Sequence, residues 1–182
     1  MSYVEIFSIN KEGEILSFAE VRNAMAGALL IWEKLGEKYN LLGEGYSMMP
    51  GYYEKLWKSC SKGILTPGED LLVRSTFDNV WLRRDLIPLL AKAMHEFHQE
   101  FIAGTNISNT VERAALSLES LLGNTSEEEV IGICFNQTSV NSDIWVGPYN
   151  EETGEEEDAN LSQFEKAWEA AGREWEPVGE RG

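Results

Sequence analysis

The chain has 182 residues, is 43% apolar and 10% aromatic, and carries a formal net charge of −16. That length fits one domain with a real core, expected over 1–182, and the aromatic share argues against a disordered chain. Residues 101–182 hold 17 of the 31 acidic side chains but four of the 15 basic ones, which disfavours binding to a phosphate backbone that Lys and Arg must neutralise.

Tyr3 to Ile9, rich in β-branched and aromatic residues, predicts a strand, Asn10–Gly13 a turn, and Glu14 to Ala19 a returning strand. Met25, Ala28, Leu29, Trp32, Leu35 and Tyr39 recur at helical spacing, so a helix is expected from Asn23 to Tyr39 as the central buried one. Gly43, Gly45 and Pro50 make Leu41 to Gly51 a loop. A short helix over Tyr52 to Lys62 packs through Tyr53, Leu56, Trp57 and Cys60 and stops at Gly63.

Beyond Thr66-Pro67-Gly68 the pattern predicts a hairpin, Leu71–Phe77 with Val80–Arg84, turning at Asp78-Asn79. Asp85 is expected to cap a helix from Leu86 to Ile102, buried through Leu90, Met94, Phe97 and Phe101. Asn109 caps the next helix, with Glu112 at the capping-box position and Gly123 as the stop. Glu129–Thr138 and Asp143–Val146 read as a further strand pair, and Leu161 to Trp175 as a last helix capped by Asn160, ahead of a flexible tail over 176–182. Strand pairs followed by helices recur three times, which predicts an α+β fold: an antiparallel sheet of about three strand pairs with helices packed on one face.

No apolar run is long enough to cross a bilayer. The start of the chain lacks the basic residues and apolar stretch of a secretory signal, so a cytoplasmic location is expected. Two cysteines are too few for a disulfide framework, and Cys60 beside Trp57 and Cys134 beside Phe135 read as buried, inert thiols. His95 and His98 stand three apart on one helix, a metal-ligand spacing. The helical wheel puts His95 on the solvent side and His98 at its edge, so no metal and no cofactor are expected. Phosphate-binding loops, dinucleotide fingerprints, nucleophile elbows and zinc-protease motifs do not occur in the sequence.

The predicted hairpin sets Arg74 opposite Arg83, with Arg84 alongside. Two facing guanidinium groups need a counter-charge, either an internal carboxylate or an external anion. Glu151, Glu152, Glu155, Glu156, Glu157 and Asp158 place six carboxylates in eight residues, an exposed acidic loop. Glu127, Glu128 and Glu129 precede the strand pair that this loop follows, so the two clusters would meet at one end of a hairpin. A strong field there would steer the chain onto a basic protein surface. At the other end of that hairpin, the polar stretch from Asn136 to Asp143 reads either as a contact surface or as a long turn.

In its size, acidity and lack of catalytic motifs the chain resembles anti-defence proteins of phages and mobile elements, of the anti-CRISPR kind that inhibits Cas9. That resemblance implies a non-enzymatic DNA mimic held by Cas9 with its guide RNA. Two other readings stay open. One is a housekeeping adaptor or immunity-type protein for another basic partner. The other is an enzyme with an unfamiliar site near Arg74, Arg83 and residues 136–143.

Overall fold

The computed structural model describes residues 3–11, 15–22, 24–47, 49, 51–60, 62–77, 80–107, 109–138, 146–150 and 155–158. The fold is α+β, as the alternation of strand and helix patterns predicts. Strand β1 (Tyr3–Ile9) turns back into β2 (Ile15–Arg22), which leads into helix α1 (Ala24–Tyr39). Short α2 (Glu54–Trp57) and α3 (Pro67–Arg74) precede β3 (Val80–Arg83). A 3-10 turn over Arg84–Leu86 enters α4 (Ile87–Phe101), which is followed by α5 (Thr110–Asn124) and β4 (Gly132–Thr138). Strands β5 (Val146–Asn150) and β6 (Glu155–Asp158) form a separate two-stranded ribbon.

The main sheet has the order β2-β1-β4-β3 and is antiparallel throughout. Ile6 lies opposite Ala19 on one side and Phe135 on the other, with a register shift between Ile6 and Phe7 in the β1–β2 pair. Val4, Ile6, Val21, Leu82, Ile133 and Phe135 join buried residues of α1, α3, α4 and α5 in one core. At its centre Trp32 stacks against Tyr53, Trp57 and Phe77 at ring-centroid distances of 5.3, 5.0 and 5.7 Å. Its indole N–H donates to Thr76 Oγ1 at 2.8 Å, so the polar end of a fully buried side chain is satisfied.

Several local expectations hold. Tyr53, Leu56, Trp57 and Cys60 are all buried, although of the helix expected over Tyr52–Lys62 only Glu54–Trp57 is helical and the described residues on either side are turns; Gly63 follows at φ +69, a conformation glycine adopts without strain. Asn40, at φ 54, closes α1, and the Leu41 N–H donates to the Gly36 carbonyl at 2.8 Å in the manner of a Schellman cap.

Others are overturned. Leu71–Phe77 is not a strand: Pro67–Arg74 is helical, and the 66–69 segment is a capping box. The Glu69 N–H donates to Thr66 Oγ1, the Thr66 N–H donates to Glu69 Oε2, and Pro67 occupies the first turn, where its missing N–H costs nothing. Leu71, Leu72, Val73 and Arg74 are buried in succession, so the apolar run lacks the spacing of a half-exposed helix and imitates a strand. Asp85 does not cap α4, because its carboxylate is held by Arg83. Asn109 makes no side-chain cap to α5, and α5 runs through Gly123 to Asn124.

Of the expected hairpin of Glu129–Thr138 with Asp143–Val146, residues 143–145 lie outside the described residues, and the strand described begins at Gly132 rather than Glu129. Strand β4 lies between β1 and β3, while Val146 opens β5, whose partner is β6. The physical reason is burial: Ile133, Cys134 and Phe135 are consecutive and all buried, which requires cover on both faces and suits a central strand. The expected last helix over 161–175, the tail over 176–182 and the polar residues 139–143 lie outside the described residues.

Candidate partner surface and the arginine sites

The three arginines do not form one site. Arg74 is 1% exposed on α3, and its Nε donates to Asp70 Oδ2 at 2.7 Å, one helical turn back. Arg83, at the end of β3, makes a two-pronged pair with Asp85 at 2.9 and 2.7 Å. Arg84 turns inward, donating to Thr125 Oγ1 at 2.9 Å and to the carbonyls of Leu122, Thr125 and Val130. It therefore satisfies carbonyls at the end of α5, which a helix terminus leaves without intrahelical partners. Because α3 replaces the expected strand, Arg74 never stands opposite Arg83, whose neighbour on β4 is Gly132. The counter-charges of Arg74 and Arg83 are carboxylates of the same chain.

Most other described cations are engaged in the same way. Lys34 pairs with Glu37, Lys58 with Glu54, Lys92 with Glu96, and Lys38 with both Glu69 and Glu100. Glu69 is the hub of the last group. Burial alone would raise its carboxyl, but hydrogen bonds from Tyr39, from the Thr66 hydroxyl and backbone, and from Lys38 hold it down to about 2. The network ties α1, α3 and α4 together, and nothing in the sequence spacing announces it beyond the capping box itself.

The acidic residues at 127–129 occupy an exposed turn just before β4. Glu129 folds back on Ser126, accepting from its N–H at 2.8 Å and its hydroxyl at 3.0 Å, and these bonds lower its carboxyl below the ordinary range. Glu128 remains 85% exposed, 3.7 Å from Lys11 near the end of β1, and Glu127 is exposed beside it. Glu155, Glu156, Glu157 and Asp158 form strand β6 rather than loop, with Asn150 opposite Glu155 and Tyr149 opposite Glu156. Glu151 and Glu152 lie outside the described residues. One acidic cluster therefore precedes β4 of the main sheet, and the described part of the other, Glu155–Asp158, belongs to the two-stranded ribbon.

The reactive groups are shielded. Cys60 and Cys134 are free and buried. Burial pushes the Cys60 thiol well above its ordinary value, and the nearby Asp70 carboxylate adds to that, so Cys60 is a poor nucleophile. His95 is partly buried between Glu112 and Glu119 of α5, a contact that the helical wheel of α4 alone could not reveal. No group of three or more His, Cys, Asp or Glu among the described residues could hold a metal. A cavity of about 40 Å³ lies between the sheet, α1, α4 and α5, lined by Val4, Ile31, Thr76, Met94, Val111 and Phe135 among others. It has room for a water molecule or two. No helix among the described residues is long and apolar enough to cross a membrane. Comparison with protein-family models, curated proteins and solved structures gives no match.

Proposed function

We propose that this chain is a non-enzymatic acidic protein that inhibits a basic nucleic-acid-handling partner. The partner class is a CRISPR nuclease of the Cas9 kind, hindered in binding DNA. The observation that carries this reading is where the cations go. Lys34, Lys38, Lys58, Arg74, Arg83 and Lys92 are each paired with a carboxylate of their own chain, and Arg84 is spent on backbone carbonyls. Glu127 and Glu128 meanwhile remain at the surface of a chain of net charge −16. A surface of that kind repels phosphate and attracts a channel built for it. The buried cysteines and the separated arginines support a binding role over an unfamiliar enzyme.

The test is binding to Cas9 loaded with guide RNA, with and without target DNA, over a range of salt. Inhibition by mimicry is expected to weaken with salt and to compete with DNA. One variant changes Glu151, Glu152, Glu155, Glu156 and Glu157 to Gln and Asp158 to Asn. A second changes Glu127, Glu128 and Glu129 to Gln. Loss of at least tenfold in affinity in either set is expected, and unchanged inhibition by both would remove the mimicry mechanism. Selective capture of a different basic host protein would instead favour an adaptor or immunity-type role.

A further inference from the structure

Helices α4 and α5 are consecutive, and His95 of α4 stands between two carboxylates of α5. Its Nδ1 lies 2.9 Å from Glu112 Oε2, and its Nε2 lies 3.0 Å from Glu119 Oε1. Glu112 and Glu119 are seven residues apart, about two helical turns, and so share one face. A neutral imidazole has one N–H and presents a lone pair from its other nitrogen. Against two carboxylates, only the protonated ring offers a donor to each. The three side chains are partly screened from solvent, at 30%, 25% and 51% exposure.

We propose that His95 is a proton-dependent lock that fastens α5 to α4 while the imidazole carries both protons and releases it when one is lost. The part of α5 that it holds matters for the core: Val111 and Ala114, beside Glu112, line the cavity whose α4 wall is Met94, next to His95. Release of α5 therefore opens an apolar space between helices and sheet.

The charges around the ring leave it to these two carboxylates. On α4, Lys92 pairs with Glu96 at 3.5 Å, and His98 stands one turn further on with Nδ1 buried and unpartnered. On α5, Arg113 follows Glu112 and is exposed. From α3, which also packs against α4, Asp70 pairs with Arg74 and Glu69 with Lys38, and in the 3-10 turn Asp85 pairs with Arg83. Burial would lower the His95 value, but the hydrogen bonds that the ring donates to Glu112 and Glu119 outweigh it and raise it. A value raised on folding contributes stability that is complete below the unfolded histidine range, near pH 6.5, and is lost as pH rises through the folded value.

The test follows the His95 ring resonances by NMR from about pH 6 to about pH 9, across the ordinary histidine value. Amide hydrogen exchange of α5, corrected for intrinsic base catalysis, is measured over the same interval. His95 is expected to titrate above the ordinary value, with α5 protection falling severalfold through that titration. In the Glu112→Gln/Glu119→Gln variant the titration is expected to move down and the pH-dependent loss of protection to vanish. Should that variant fail to fold, Glu119→Gln alone serves, since Glu119 is the more exposed partner. Titration of wild-type His95 at or below the ordinary value overturns the proposal, as does α5 protection that stays level while the ring loses its proton.

Discussion

Asp70→Ala is the sharpest probe of this core, because it takes a carboxylate away from a buried guanidinium. Arg74 is 1% exposed and pairs with Asp70 at 2.7 Å, while the Asp70 side chain keeps 17% of its surface. Removing one partner of a buried ion pair costs about 3–5 kcal/mol, since the other charge stays in a medium that solvates it poorly. The partial exposure of Asp70 lets water reach the vacated site, and Arg74 has further interactions, so the lower end, about 3 kcal/mol, is expected. For a chain of this length that is a fall of about 6–12 °C in Tm. Asp85→Ala is the control, because the Arg83–Asp85 pair is 41% and 50% exposed and should cost less than about 1 kcal/mol. Replacing both partners, Asp70→Leu with Arg74→Met, removes the buried charge as well and should recover much of the loss. Urea denaturation of the four proteins decides the matter. If Asp70→Ala costs no more than Asp85→Ala, Arg74 is not a buried charge held by Asp70.

Two further predictions concern the same framework. Glu69→Gln is expected to destabilise the protein at neutral pH. Because the folded-state value of Glu69 is depressed to about 2, that difference should shrink as pH falls from about 4.5 toward 2, and a pH-independent difference would show that the carboxylate charge is irrelevant. Gly132→Ala places a Cβ 2.7 Å from the Leu82 carbonyl oxygen of the neighbouring strand, backbone that cannot swing aside, and should cost about 1–3 kcal/mol. Gly123→Ala, in α5 with no atom within 4 Å, should instead gain about 0.5–1 kcal/mol by helix propensity; both are read from thermal melts, and equal effects would refute the packing argument.

Much of the chain declares itself locally. The spacing of Ala28, Trp32 and Leu35 places α1 and its buried stripe, and the β-branched run from Tyr3 to Ile9 places β1. Tyr53, Leu56, Trp57 and Cys60 are buried as their spacing requires. Periodicity succeeds at these places because each element has one wet face and one dry face. It fails where an element is buried all round. The run at Leu71, Leu72 and Val73 looks like a strand until the Thr66–Glu69 capping box is given its weight. The run at Ile133, Cys134 and Phe135 is a strand, but no local feature says that it lies between β1 and β3.

The α+β class, the excess of negative charge, its concentration in residues 101–182 and the inertness expected of two cysteines on apolar faces are legible in composition and local pattern. Composition and short-range spacing are properties of the covalent chain, so no folding information was needed for them. Which charges meet was set by tertiary packing. It gave Arg74 to Asp70, Arg83 to Asp85 and Arg84 to the carbonyls at the end of α5, and it set His95 between two carboxylates of another helix. It also put Glu155–Asp158 in a different sheet from the one that Glu127–Glu129 precede. Such pairings depend on distances of a few ångströms between residues far apart in sequence, 46 positions for Arg84 and Val130 and 62 for Lys38 and Glu100, and strand order and helix packing set those distances.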